Sequence, residues 1–429
     1  MKSLDEIARE LQGYDPQALS AQGVLDFLER LVTPMAETEA VSLFDAPTRV
    51  LAQDLISPLS VPPHDNAAMD GYAFDGAALG TNAPLTLEVV GTALAGQGWR
   101  GTVGPGQCVK IMTGAIMPAG LDTVVPQEFV TRAEAQPHPR VTIPAGLLQP
   151  GDNRRHKGED LMQGQPALRA GERLTPAACG LIASLGLPQV QVRRRLKVAY
   201  FSTGDEILSL GEAPREGAVY DSNRHTVRAL LMRLGCEVID LGVVRDDPVL
   251  LRQAFTEAAA QADAVITSGG VSVGEADFTK AMMKKLGDVV FWKIAMRPGR
   301  PMAVGRLTQG NQSAVLFGLP GNPVAVMVTF AAFVRPALQQ LMGWQAPALP
   351  MLKAKSTEAL RKKPGRTEYQ RGIVSTNAWG ELQVSITGNQ GSGVLSSMVQ
   401  ANGLIVLGHA QGNVAVGDAV DVMMFDGHL

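Results

Sequence analysis

ADAVITSGGVSVGEADFTK, residues 262–280, changes character twice along its length. Ala264-Val265-Ile266-Thr267 is a short apolar run of the kind a buried strand uses. Ser268-Gly269-Gly270 frees the backbone to turn sharply, and Thr279-Lys280-Ala281-Met282-Met283 opens a helical pattern. The order is strand, loop, helix. A loop at the carboxyl end of a strand in an α/β sheet presents backbone N–H groups at a helix start, where an anion gains hydrogen bonds and the helix dipole. Glu275 and Asp277 would repel a bare phosphate, unless a divalent cation sits between carboxylates and phosphate oxygens. The stretch suggests a metal-bridged phosphate or pyrophosphate site; the plain alternative is a tight turn with solvated acids.

Neighbouring segments repeat the unit. Leu196 to Phe201 reads as a strand, followed by the loop Ser202-Thr203-Gly204-Asp205-Glu206. Asp221-Ser222-Asn223 can cap a helix that lines up Val227, Leu230, Leu231 and Leu234, with Gly235 as its C-terminal cap. Glu237 to Leu241 is the next strand, and Asp246-Asp247-Pro248 caps a helix with Leu251, Phe255 and Ala258 on its inner face. This alternation predicts right-handed βαβ units and a parallel sheet. Asp288 to Ile294 and Ser313 to Phe317 look like further strands, the second leading through Gly318-Leu319-Pro320-Gly321-Asn322-Pro323 into a long helix to Leu341.

Further out the pattern changes. Residues 20–32 place Val24, Leu25, Leu28, Leu31 and Val32 at helical spacing, and Ala46 to Ala52 predicts another short helix. The loop Pro62-Pro63-His64-Asp65-Asn66 has the polar, conformationally special residues of loops that carry sites. LTLEVVG, GQCVKIMTG and DTVVPQEFV, between Leu85 and Arg132, predict a small all-β domain. Residues 149–160 read as a solvated charged loop, and Leu174 to Leu185 as a helix ended by Gly186 and Pro188. After Pro347 the runs RGIVS, ELQVSIT, NGLIVLG and AVDVMMF predict a small β-barrel or sandwich.

Composition narrows the function. At 429 residues the chain has room for roughly two to four domains. Hydrophobic residues are 45% and charged residues 18%, without an apolar run of membrane-spanning length, so a cytoplasmic protein without a membrane partner is expected. The net charge of −3 argues against a basic nucleic-acid binder, and Arg193-Arg194-Arg195 and Arg154-Arg155 read as solvated strand ends. Cys108, Cys179 and Cys236 form no C-x-x-C pair, which excludes a disulfide scaffold and the usual structural zinc motif. The six histidines show no H-E-x-x-H spacing, which argues against zinc hydrolysis.

Three acidic loops fall at carboxyl ends of strands of the one expected sheet: Asp205-Glu206, Asp246-Asp247 and Glu275-Ala276-Asp277. Ligands bind in the crevice above such ends. Lys293, Arg297 and Arg300 in WKIAMRPGRP supply the opposite sign and can hold an oxyanion. Alone, each has a bland reading as a cap or surface charge. Together they point to a magnesium-dependent enzyme acting on a phosphorylated or nucleotide-bearing small molecule.

Eight separated segments, in order, resemble the signatures of the molybdopterin molybdenumtransferase (MoeA) family, which includes the gephyrin E domain. They are VPPHDNAAMDGYA (61–73), KIMTGAIMPAG (110–120), FSTGDEI (201–207), YDSNR (220–224), VRDDP (244–248), TSGGVSVGEADFTK (267–280), KIAMRPGRP (293–301) and GLPGNP (318–323). The resemblance implies a multidomain α/β plus β fold. Its parts are an elongated N-terminal α+β unit (1–60 and 150–193), an inserted small β domain (61–149), a central parallel-sheet, molybdopterin-binding-like α/β domain (194–345) and a C-terminal β-barrel (346–429). It implies that adenylated molybdopterin is cleaved with release of AMP and that molybdate enters the freed dithiolene, with Mg2+ on the pyrophosphate.

By the same resemblance Asp65, Thr113, Glu206, Asp246 and Asp277 are catalytic positions, the last three also metal ligands. Gly269, Gly270, Ser272, Gly274, Lys293, Arg297, Arg300, Pro320, Pro323, Arg371 and Ser392 surround substrate and molybdate. A homodimer is implied, with Asp65 and Thr113 meeting the α/β residues across its interface, and the molybdopterin adenylyltransferase as a partner. The chain departs from the family in carrying Arg297 and Arg300 where lysines are expected, and His64 where an apolar residue is expected. Two other readings share parts of the pattern: a non-catalytic dimeric scaffold, and a nucleotide pyrophosphatase of the competence-damage-inducible type.

Overall fold

The structure is a computed structural model that describes residues 2–80, 83–271, 278–347 and 349–425. Ala264–Ser268 is buried along its whole length. It pairs in parallel with Lys197–Thr203 on one side and Gln312–Leu319 on the other. The six-stranded sheet runs Glu237–Val244, Lys197–Thr203, Ala264–Ser268, Gln312–Leu319, Pro301–Gln309, Gly287–Lys293. Its first four strands are parallel, as the βαβ pattern requires. Pro301–Gln309 is antiparallel to both neighbours and was not legible in the sequence. It begins at a proline and is interrupted by Gly305, where a Cβ would lie 2.2 Å from the Asp288 carbonyl oxygen.

Alternation along the strands divides the core into two layers. Val198, Tyr200, Ile266, Val304 and Phe317 share one cluster with Ser222–Leu234 and the helix after Pro323. Ala199, Phe201, Val265, Ala303 and Leu316 share the other with Pro248–Gln261 and Phe278–Leu286. Capping follows the local sequence: Asp221 accepts from the Arg224 N–H, Asp247 from those of Val249 and Leu250, and Gly235 closes its helix at φ 92°. The N-terminal helices Leu4–Glu10 and Ala21–Leu31 add Leu4, Ile7, Val24, Phe27, Leu28 and Leu31 to the first cluster. Phe27 stands edge-on to Trp292 at 5.0 Å.

The helix expected over Ala46 to Ala52 does not form. A short 3-10 turn, Leu43–Asp45, precedes Pro47, Thr48 takes φ 69°, and Val50 and Leu51 bridge to Arg173 and Val192. These bridges belong to an extended antiparallel ladder. Thr38–Ser42 pairs with Gln189–Arg193, Leu55–Ile56 with Pro166–Leu168, and Asn66–Ala67 with Arg154–Arg155. Beyond it lies a mixed six-stranded sheet ordered Thr123–Pro126, Gly71–Phe74, Gln107–Ile111, Leu85–Ala93, Arg140–Ile143, Thr131–Ala133.

The C-terminal strands Thr367–Thr376, Leu382–Ile386, Met351–Ser356, Ala419–Met424 and Gly403–Leu407 close into a barrel, because the first also pairs with the last. Among the described residues, one helix, Pro323–Leu341, has the length and apolar composition to cross a membrane, and 83% of that span is buried as in a core helix.

Candidate active site

A cavity of about 430 Å³ opens above the carboxyl ends of the parallel strands. The loop after Ala264–Ser268 brings Gly269, Gly270 and Val271 into its wall, and the loop after Gln312–Leu319 brings Pro320, Gly321 and Asn322. Backbone geometry requires both glycines. Gly269 has φ +91° and a Cβ there would lie 2.3 Å from the Thr203 carbonyl oxygen; Gly270 has φ +65° and would meet Thr279 at 2.5 Å. The Gly269 N–H donates to the Leu319 carbonyl at 3.2 Å, so it is committed within the fold rather than offered to an anion.

Arg297 and Arg300 enter the wall from the turn that joins Met296–Arg297 to Pro301–Gln309. Both are exposed, and neither guanidinium has an acceptor among the described residues. Gly299 lets this turn approach the core: its φ is +90° and a Cβ would sit 2.4 Å from Thr329 Oγ1. Glu206, also exposed and without a side-chain partner among the described residues, is the acidic group of the wall.

Asp246 stands outside this wall. Its backbone N–H donates to Asp205 Oδ1 at 3.3 Å, and its carboxylate accepts from Thr279 Oγ1 at 3.3 Å, which ties it to the helix start beside Gly270. Asp277, Ser272 and Gly274 lie outside the described residues. Among the described residues, no three His, Cys, Asp or Glu side chains gather as metal ligands. Glu206 in the wall and Asp246 beside Thr279 offer oxygen donors only, which suits a hard divalent ion.

From the barrel, Gln390 and Ser392 reach the same cavity. Arg371 does not line it. Only 1% exposed, Arg371 donates through Nε to Ser397 Oγ at 2.9 Å and through Nη2 to the carbonyls of Asn389 at 3.3 Å and Gly391 at 2.9 Å. Its backbone N–H donates to Gln390 Oε1 at 2.8 Å. Burial and the charge of Arg297 both hold its pKa below the ordinary range. The Ser392 carbonyl in turn accepts from the Val324 N–H at 3.2 Å, which fastens the barrel loop to the helix opened by Pro323. Lys293 is absent from the wall; its backbone N–H donates to the Pro16 carbonyl at 2.8 Å.

Asp65 and Thr113 sit on neighbouring loops of the β domain, joined by the Ala67 and Ala115 hydrogen bond. Asp65 Oδ1 accepts from the Lys157 N–H at 2.8 Å, and Thr113 donates through N–H and Oγ1 to Asp70 Oδ1, both at 2.7 Å. Those bonds from Thr113 hold the Asp70 carboxyl below its usual range. Within one chain the two residues stay out of the cavity wall.

Sequence reading passed over Gln390, and it took in Asn322 only as part of the segment 318–323, without a role of its own. Asn322 begins the helix without capping it through its side chain, and Asn223 Nδ2 holds the adjacent Gly321 carbonyl at 2.8 Å. The usable signal was an asparagine at an N-cap followed by proline, which reads as a cap and conceals the wall position.

Three family descriptions cover most of the chain: the MoeA N-terminal region (domain I and II) matches residues 19–186, a probable molybdopterin binding domain 199–340, and the MoeA C-terminal region (domain IV) 353–425. The chain is 44% identical over 405 residues to the molybdopterin molybdenumtransferase of Haemophilus influenzae, covering 94% of this chain and 97% of that one. To the Bacillus subtilis protein of the same name it is 34% identical over 392 residues, 90% of each chain. The solved molybdopterin biosynthesis moeA protein of Pyrococcus horikoshii OT3 shares 26% identity and superposes with a TM-score of 0.80, covering 95% of this chain and 100% of that one.

Proposed function

The chain belongs to the molybdopterin molybdenumtransferase family, and from that premise we propose that its cleft binds adenylated molybdopterin and molybdate. There the phosphoanhydride is cleaved, AMP leaves, and molybdate is inserted into the freed dithiolene to give molybdenum cofactor. One observation carries the assignment to this cleft: two guanidiniums without acceptors, Arg297 and Arg300, share a wall with Glu206 and the Gly269-Gly270 turn. Exposed cations at a backbone turn bind tetrahedral dianions by charge-assisted hydrogen bonds. Ser392, Gln390 and Asn322 add neutral donors around them. Pro320 and Pro323 fix φ on either side of Gly321 and hold that wall in shape.

Glu206 and Asp246, with Asp277, are the residues that would hold magnesium, which when bound neutralises charge on the pyrophosphate. The working unit we propose is a cytoplasmic homodimer, with Asp65 and Thr113 of one protomer completing the cleft of its partner. Their position outside the wall of their own chain supports this. The molybdopterin adenylyltransferase, which makes the adenylated substrate, is the proposed partner in transfer.

The test is AMP release from adenylated molybdopterin by the purified protein with magnesium, with and without molybdate. Molybdate-linked release, lost in Asp65→Ala and Asp277→Ala, is the expected result. Release indifferent to molybdate would instead indicate a nucleotide pyrophosphatase, and a folded dimer without turnover a scaffold.

A further inference from the structure

A cavity of about 680 Å³ shares no wall residue with the cleft. Leu25, Gly171, Arg335, Trp344, Tyr369 and Met423 contribute to it, so the N-terminal helices, the ladder, the long helix and the barrel all meet there. Through Arg335 and Trp344 it adjoins a smaller cavity of about 60 Å³, whose wall also holds Arg173 and Arg233. Among the described residues, no aspartate or glutamate stands in either wall.

Arg335 is the unusual group. It is 7% exposed, and its guanidinium makes no hydrogen bond or ion pair with any described residue. The other cations nearby are occupied: Arg173 lies over the Trp344 ring at 4.9 Å and donates to the Thr48 carbonyl, and Arg193 donates to the carbonyls of Met35 and Ala36. Burial and the like charge of Arg173 both lower the Arg335 pKa. One turn further along, Gln339 is 6% exposed, and its Nε2 finds no acceptor among the described residues. Arg335 follows a π-helical turn, Phe330–Val334, a rare conformation that often marks functional sites. Pro336 accounts for it physically, since it has no N–H to give the carbonyl four residues back and its ring crowds that carbonyl. A largely buried guanidinium without a counterion is costly, and a bound anion relieves that cost.

We propose that this cavity binds an amphipathic organic anion, its carboxylate or oxyanion head on Arg335 and its apolar body against Leu25, Trp344, Tyr369 and Met423. The volume is that of a small-molecule site, and the walls combine apolar surface with a single unsatisfied cation, as such sites do. This goes beyond the transferase reading and does not depend on it.

The probe is 8-anilinonaphthalene-1-sulfonate, titrated by fluorescence against the full-length protein, with uncharged N-phenyl-1-naphthylamine alongside. One saturable sulfonate site per chain is expected, weakened about tenfold or more in Arg335→Gln and less in Arg335→Lys, as loss of a charge-assisted hydrogen bond predicts. The uncharged probe should respond little to either change. Because the Arg335 guanidinium has no partner to lose among the described residues, Arg335→Gln should unfold at the wild-type temperature or above. Ala346→Trp, which obstructs the wall and leaves the cation in place, should also remove sulfonate binding. Equal sulfonate affinity in wild type and Arg335→Gln would overturn the proposal. So would sulfonate binding that disappears as sedimentation shows dimers forming, since a second copy of the chain would then fill the cavity.

Discussion

Arg300 and Arg371 carry the same side chain in opposite surroundings. Arg300 is exposed in the cleft without an acceptor, so Arg300→Ala should leave the unfolding temperature unchanged and lower kcat/KM for AMP release about 10- to 100-fold, with partial recovery in Arg300→Lys. Arg371 is buried and supports the loop that carries Gln390 and Ser392. Arg371→Ala should cost about 2–4 kcal/mol in urea unfolding, because the Asn389 and Gly391 carbonyls lose their donor inside the fold. Gly269→Ala is expected to lose about 1–3 kcal/mol, given its positive φ and the Thr203 oxygen in the way. At this scale the glycines were legible from the sequence, since only they permit the turn. That Arg371 supports the wall and Arg300 forms it was not legible, because both read simply as cations.

Elements explain where ionisable groups are hidden. Cys108 lies in the strand Gln107–Ile111 and Cys236 precedes Glu237–Val244; burial pushes both thiols up to about 12. The folded chain therefore keeps protons that the unfolded chain releases near the ordinary thiol pKa of about 8.5. Stability is fully present below that pH and falls as pH rises toward about 12, since the unfolded state then binds fewer protons. Urea midpoints measured from pH 8 to pH 10.5 should decline, and the decline should lessen in Cys108→Ala/Cys236→Ala. The arginine run at 193–195 also finds its explanation here. Arg194 holds Asp263 bidentately at 2.7 and 2.6 Å, and that pairing raises the Arg194 pKa. Asp263 also accepts from the Lys197 N–H at 2.8 Å, so the run fastens two strand starts where the sequence predicted solvated ends.

For the whole molecule, the site is the question of which parts meet. The α/β unit and the barrel build one cavity within a single chain, whereas Asp65 and Thr113 remain on the β domain at the far side of the ladder. If a partner supplies them, Asp65→Ala and Arg300→Ala proteins, each with about a tenth or less of wild-type activity, should rise to about a quarter or more of it when mixed after dissociation. Random pairing makes half the dimers mixed, and each of these has one intact cleft of two. Absence of recovery, with mixed dimers shown by mass spectrometry, would place each cleft within one chain.

Local regularity carried most of the fold into the sequence. The βαβ alternation, the Asp221, Asp247 and Gly235 caps and the glycine turn at 269–270 each follow from a few adjacent residues, so each could be read before any packing was known. The segments from 61 to 323 carried the family in the same way. Three things waited for tertiary structure: the antiparallel strand Pro301–Gln309, the packing of the N-terminal helices onto the central sheet, and the joining of Gln390 and Ser392 to Arg297 and Arg300. Their physical basis is long-range. A strand interrupted by glycine is recognised by its partners, a helix's apolar stripe does not name the surface it covers, and residues some ninety positions apart become neighbours only through burial of the barrel loop against the long helix.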